Sequence, residues 1–297
     1  MSNWLQFTKE RFPLASHLTM ILLFVGAHLV ALKNVEFSTS WLQALVIFFS
    51  ILTFFFKMRL YDEIKDYDLD VKINPTRPLP RGLVTVEGVK KGIKICIALE
   101  VGLFAFLGLP AFLTFVFAIG YSLLMYREFF IGEKIRPHLT TYAMSHTVVT
   151  IPMGLSIFAG VSGLYPWEMP QNLILFTVCS WFLFNIFEFG RKTFATDEER
   201  NQVESYSKIF GRIGAVALVV SMAAIALFLI FKVMNATSLP QLAVFVGLLA
   251  IGLLYALKNN GKMASLYRNF SSLYIVLFYV CYLCEAFFVQ WIKGQPL

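Results

Sequence analysis

Residues 59–82 read Arg59-Leu-Tyr-Asp62-Glu63-Ile-Lys65-Asp66-Tyr-Asp68-Leu-Asp70-Val-Lys72-Ile-Asn-Pro75-Thr-Arg77-Pro78-Leu-Pro80-Arg81-Gly82. Asp62, Glu63, Asp66 and Asp70 fall within nine positions, and a basic loop stiffened by prolines follows them. The segment continues directly from an apolar run, residues 41–60, that is long enough to cross a bilayer. Carboxylates at a membrane boundary are costly unless something cationic binds them. The simplest such species is a divalent metal carrying a phosphorylated ligand.

The rest of the chain supports a membrane setting. Hydrophobic residues make up 58% of the 297 positions and charged residues 14%, against about 25% charged in an ordinary soluble domain. The 31 phenylalanines and 12 tyrosines fit lipid-facing bulk and interfacial belts. The net charge of +7 does not point to nucleic acid, because the basic residues lie scattered between apolar runs. Cys281 and Cys284 form a C-x-x-C inside an apolar stretch with no second pair, and Cys96 and Cys179 stand alone. A zinc site needs about four ligands, so all four read as packing residues. The first apolar stretch lacks a small-residue cleavage site and reads as a retained span.

Counting runs of about 20 apolar residues predicts nine spans, near 14–33, 41–60, 90–108, 110–126, 139–160, 172–190, 212–232, 240–257 and 270–291. Gly108-Leu109-Pro110 divides the third from the fourth; one overlong helix is the alternative. With the N-terminus cytoplasmic, 22 of the 25 Lys and Arg residues fall on the cytoplasmic side and 3 on the other. That is a strong positive-inside signal. The expected fold is an all-α integral membrane protein, a single polytopic domain over 1–297.

Asp62, Asp66 and Asp70 are spaced i, i+4, i+8, so a helix projects all three on one face. Mg²⁺ takes oxygen ligands and commonly binds one or two carboxylates plus substrate phosphates. Lys72, Arg77 and Arg81 supply phosphate-binding donors, with bidentate geometry available to the arginines. The bland reading of those basic residues is a solvated loop touching anionic lipid; the adjacent in-phase carboxylates favour a binding site. A second acidic stretch closes the sixth span: Asn185-Ile-Phe-Glu188-Phe-Gly190-Arg191-Lys192-Thr-Phe-Ala-Thr-Asp197-Glu198-Glu199-Arg200. Taken alone, Glu188 and Lys192 read as an i,i+4 ion pair and Asp197 to Glu199 as an exposed turn. Beside the first cluster, the stretch fits a second metal or the far side of the same diphosphate. Buried polar residues within spans, Glu100, His28, His146 and Asn185, stay open between a cavity role and hydrogen bonding to a neighbouring helix. Glu285 reads as snorkelling.

At this point the chain resembles the UbiA superfamily of intramembrane prenyltransferases. The family's first motif, commonly N-D-x-x-D-x-x-x-D, corresponds to Asp62-Glu63-Ile-Lys-Asp66-Tyr-Asp68-Leu-Asp70. Arg77-Pro78-Leu79-Pro80-Arg81-Gly82 resembles the R-P-[LI]-x-x-G loop. Tyr121-Ser122 followed by Tyr126-Arg127 resembles the Y-[ST]-x-x-x-[KR] segment. Asp62-Glu63 departs from the usual Asn-Asp, and the second motif, usually D-x-x-x-D, is replaced by the Glu188 to Glu199 region. The resemblance implies nine helices around a central cavity and a Mg²⁺-dependent reaction of a prenyl diphosphate with a lipophilic or aromatic acceptor. It implies catalytic roles for Asp62, Asp66 and Asp70. Metal ligation would come from these with Glu63, Glu188 and Asp197. Diphosphate contacts would come from Arg59, Lys72, Arg77, Arg81, Tyr121, Arg127, Arg191 and Lys192. A terpene cyclase on the same scaffold shares the ionisation step. A cation transporter would place its ionisable residues near the bilayer midplane, and a scaffold with a degenerate site is the remaining rival.

Overall fold

The computed structural model describes residues 2–199 and 204–292; Arg200 and Lys293, both counted in the charge asymmetry, lie outside the described residues. The α-helices are α1 (Asn3–Arg11), α2 (Leu14–Lys33), α3 (Trp41–Lys65), α4 (Tyr67–Ile73), α5 (Val86–Phe106), α6 (Leu109–Tyr126), α7 (Gly132–Ile135), α8 (Leu139–Thr147), α9 (Thr150–Ser162), α10 (Gln171–Gly190), α11 (Tyr206–Met234), α12 (Leu239–Leu257) and α13 (Gly261–Ile292). Among the described residues every other regular element is a short 3₁₀ turn. Eight helical segments are long and apolar enough to cross a membrane: α2, α3, α6, the α8–α9 run, α10, α11, α12 and α13. The protein is therefore an all-α, multi-pass membrane protein. Helix α5 stands apart in composition, because Glu87, Lys90, Lys91 and Lys94 crowd its first turns and Glu100 follows.

Local chemistry explains the boundaries. Ser40 caps α3 in a reciprocal box with Gln43: the Ser40 hydroxyl accepts from the Gln43 N–H, and the Ser40 N–H donates to Gln43 Oε1. Thr85 caps α5 through the Gly88 N–H. Gly108 turns at φ +104° between α5 and α6, a conformation that suits glycine, and Pro110 starts the next helix. Two helices therefore stand there rather than one overlong helix. The span at 139–162 breaks at Val148-Val149 because Pro152 has no N–H to return to the Val148 carbonyl; Ile151 takes that carbonyl instead in a tighter turn.

The chain divides into two compact units. The first runs through Phe130 and takes in Ser156–Glu168. Here α5 packs between α3 and α6, turning Val89, Ile93, Cys96, Glu100 and Phe104 inward. One apolar cluster of this unit joins Phe7 of α1, Leu60 and Tyr61 of α3, Leu79 and Val84 of the proline loop, and Val89 and Ile93 of α5. The short N-terminal helix is thereby pinned against the end of α3.

The second unit holds Ile131–Leu155 and the described residues from Met169. Helix α10 packs on α11 and α13, and α12 on the same two helices. Gly190 closes α10 against α13, where a Cβ would run into the Ser271 side chain. Gly190→Ala is expected to lower stability by about 1–3 kcal/mol, the cost of overpacking, read as a lower thermal midpoint in detergent. Gly26→Ala in α2, where a Cβ meets nothing, is the comparison and should be neutral or mildly stabilising.

Candidate functional site

The first acidic segment stays helical across a break. Asp66 ends α3 and begins α4 at φ −91°, ψ 0°. The i,i+4 backbone bonds nevertheless continue, Asp66 N–H to Asp62 C=O at 2.9 Å and Asp70 N–H to Asp66 C=O at 2.8 Å. The spacing read from the sequence is thus kept, but the side chains meet different partners. Asp62 is half-exposed, with Arg59 Nη1 3.6 Å away one turn back. Asp66 is exposed at the junction. Glu63 is turned inward and buried, its Oε1 accepting from Arg11 Nε of α1 at 2.5 Å. Its Oε2 has no hydrogen-bond partner among the described residues. Asp70 is also buried, and Arg77 Nη1 and Asn74 Nδ2 donate to its Oδ1 at 2.6 and 2.9 Å.

The proline loop is tied down by its own backbone. Arg77 N–H donates to Asn74 C=O, Arg81 N–H to Arg77 C=O, and Leu83 N–H to Pro78 C=O. Gly82 turns at φ +78°, and Pro78 and Leu79 are buried. Arg81 is held twice: Nη1 and Nη2 donate to the two Glu10 oxygens at 2.9 and 2.7 Å, and Nη1 donates also to the Thr76 carbonyl at 2.7 Å. The Arg81 hydrogen bond, aided by one from Gln6, holds the Glu10 carboxyl below its usual range. Lys72 is exposed on α4.

The end of α6 reaches the same place. Tyr126 stacks on Tyr61 with ring centroids 4.8 Å apart, and Lys65 Nζ lies 3.9 Å from Glu128 Oε1. Tyr121 sets its ring edge-on to Phe129 at 5.6 Å, and Arg127 is exposed beside the Tyr126 ring. Glu128, Phe129 and Phe130 all take positive φ, from 50° to 59°, a conformation costing side-chain-bearing residues about 1 kcal/mol or more each. The first unit thus brings Arg59, Asp62, Asp66, Asp70, Arg77 and Arg81 onto one helix–loop segment, with the α6 end bearing Tyr121 and Arg127 tied to the end of α3.

In the second unit, Glu188 is gripped by Arg191 at 2.6 and 2.7 Å and by Lys192 at 3.3 Å. Asp197 is exposed. Glu198 takes both terminal nitrogens of Arg268 at 2.8 Å, and this pairing holds its carboxyl below the usual range. Glu199 accepts from Ser205 and Ser207 at 2.7 and 2.6 Å. Glu198 and Glu199 therefore fasten this loop to α13 and to the start of α11.

The polar residues noted within the spans each meet at least one partner. Glu100 meets Lys57 of α3 at 2.5 Å. His28 and His146 each bond through Nδ1 to the carbonyl four residues back. Asn185 accepts from Thr147. Glu285 accepts from Ser238, the N-cap residue of α12, at 2.7 Å. Sequence reading missed Glu10, Arg11 and Lys57; the only local signal was an acid–base pair closing a short helix before the first span.

No three of the described His, Cys, Asp and Glu side chains converge as a ready metal cage. Asp62, half-exposed, and Asp66, exposed, do offer hard oxygen donors one turn apart. That suits Mg²⁺, which commonly takes one or two carboxylates and completes its shell from phosphates and water.

The profile of the UbiA prenyltransferase family matches residues 19–273. No curated protein matches the chain by sequence. Three solved structures share its fold. One, from work on digeranylgeranylglyceryl phosphate synthase in membranes, is 16% identical, with 96% of this chain and 99% of that chain covered at a TM-score of 0.68. A UbiA homolog from Aeropyrum pernix K1 is 16% identical over 93% of this chain and 98% of that one, with a TM-score of 0.60. A UbiA homolog from Archaeoglobus fulgidus bound to GPP and Mg²⁺ is 17% identical over the same shares, 93% and 98%, with a TM-score of 0.53.

Proposed function

The chain belongs to the UbiA prenyltransferase family, and from that membership we propose that it transfers a prenyl group from a prenyl diphosphate to a small aromatic or lipophilic acceptor, releasing diphosphate. The observation that carries this reading is the pairing of Asp62 and Asp66, one turn apart, with a loop that already holds Arg77 and Arg81 in place. The GPP and Mg²⁺ bound to the Archaeoglobus fulgidus homolog support the same chemistry at a distance.

Asp62 and Asp66 would hold the metal. Once bound, Mg²⁺ supplies Lewis-acid neutralisation of the leaving diphosphate. Arg59, Lys72, Arg77, Arg81 and Arg127 donate to its remaining oxygens. Glu63 and Asp70, paired with Arg11 and Arg77, are the further candidate ligands of this segment. In the second unit Glu188 and Asp197 are the candidate further metal ligands, and Arg191 and Lys192 candidate phosphate donors. The aromatic side chains of the spans keep water away and offer their faces to the allylic cation left by ionisation. The acceptor then bonds to the cationic carbon and loses a proton.

We also read α5 as a ninth span. Its 21 residues extend about 31 Å, and its one deep acid is neutralised by Lys57. The concentration of Lys and Arg on one set of loops supports a cytoplasmic N-terminus and a cytoplasmic active site. The match from 19 to 273 supports one polytopic membrane domain over 1–297.

The test is diphosphate release by purified protein in detergent, over a panel of prenyl diphosphates, with and without aromatic acceptors. Release is expected with Mg²⁺ and is expected to vanish with EDTA. A prenylated acceptor would support the transferase. A cyclic hydrocarbon made without acceptor would point to a cyclase, and no release with any donor would sink the reading.

A further inference from the structure

The last two residues of α1 each reach a different part of the first cluster. Arg11 pairs with buried Glu63 on α3, and Glu10 forks onto Arg81 in the proline loop. The helix itself is seated: Phe7 is fully buried in the cluster with Leu60, Val84 and Val89. Trp4 lies over Gly88 and Gly92 of α5, where a Cβ would meet the indole at 3.7 and 3.5 Å. A helix so anchored presents Glu10 from a fixed position.

A guanidinium has five N–H donors along three edges. In Arg81 the edge between Nη1 and Nη2 faces Glu10, and the other Nη1 hydrogen faces the Thr76 carbonyl. The two donors left are Nε–H and the second Nη2 hydrogen, neither with a partner among the described residues. They lie side by side on one edge, the spacing that takes two oxygens of one phosphate. Glu10 and Thr76 together fix the plane of the guanidinium and leave that edge whole.

We infer that Glu10 is a positioning residue for substrate: it holds Arg81 so that its Nε/Nη2 edge is preset for a phosphate of the diphosphate, making α1 a working wall of the site. This rests on the proposed function, since it needs Arg81 to meet diphosphate. It adds a residue outside the acidic segment and the loop, 71 positions from its partner. The prediction runs against simple electrostatics. Removing an acid near an anion's seat should tighten binding by relieving repulsion. Loss of preset geometry weakens it instead, because the freed Arg81 side chain must then be immobilised during binding.

The experiment is a double-mutant cycle on the full chain, with inorganic diphosphate and Mg²⁺ as the calorimetric probe and kcat and KM for a prenyl diphosphate alongside. Glu10→Ala is expected to weaken diphosphate binding and raise KM about five-fold, the scale of ordering one long side chain, with kcat within two-fold. Glu10→Gln keeps the volume and one acceptor oxygen, guards against a folding artefact, and should fall between the two. In Arg81→Ala, already weakened about ten-fold by loss of a charged bidentate contact, adding Glu10→Ala should change nothing further. Tighter or unchanged binding in Glu10→Ala, with Arg81→Ala still impaired, overturns the positioning role alone. Unchanged binding in Arg81→Ala overturns instead the placement of Arg81 at the diphosphate.

Discussion

Asp66→Asn is expected to lower kcat/KM for a prenyl diphosphate by about 10³-fold, the several kcal/mol that a metal's charge stabilisation supplies, while leaving the thermal midpoint nearly unchanged. The substitution keeps the side chain's shape. The backbone bonds that carry the helix through the junction, Asp66 N–H to Asp62 C=O and Asp70 N–H to Asp66 C=O, do not involve the carboxylate. The residue is exposed, so no buried charge is stranded. What is lost is one of the two oxygen-donor side chains best placed for Mg²⁺. The check is diphosphate release at saturating Mg²⁺ beside a melting curve of the same preparation. A variant that melts like the parent and still releases diphosphate at the parent's rate would remove Asp66 from the metal site.

The first acidic segment shows what the spacing of acids could and could not convey. The i, i+4, i+8 pattern predicts one face for Asp62, Asp66 and Asp70; the i,i+4 backbone bonds run through the segment, yet Asp66 is exposed and Asp70 buried. Spacing carries no information about partners distant in sequence. Glu63 is claimed by Arg11, 52 residues away, and Asp70 by the loop that follows it. The span boundaries were legible because they rest on local chemistry. The run predicted at 14–33 is α2, and Gly108 and Pro110 separate α5 from α6. The pattern at 212–232 missed the first turn of α11, because Gly211 at φ +69° joins two helical pieces that hydropathy treats as separate. The second acidic stretch was legible as a cluster, yet the roles of its members follow from Arg268, Ser205 and Ser207, which only folding brings near.

Lys57→Met is expected to destabilise the protein by about 3–5 kcal/mol, the cost of stranding one buried charge, and adding Glu100→Leu to recover most of that loss. Both side chains are fully buried, and Lys57 Nζ meets Glu100 Oε2 at 2.5 Å. The ammonium also lies 4.1 Å from the Phe54 ring centroid. Glu100 Oε1 has no hydrogen-bond partner among the described residues, so the pair is only part-compensated. Removing Lys57 leaves that carboxylate among Cys96, Phe104 and the inward face of α3 with nothing to balance it. Removing both restores an apolar contact between α3 and α5, which is often as stable as the ion pair. Thermal unfolding of the two single variants and the double variant in one detergent measures the coupling, and additive losses would show that the two charges do not act as a pair. Activity then separates structure from chemistry. A double variant that recovers both stability and turnover makes the pair a brace holding α3, and with it Asp62, five residues on, against α5. Recovery of stability without turnover would show that the charged pair serves the reaction as well as the fold.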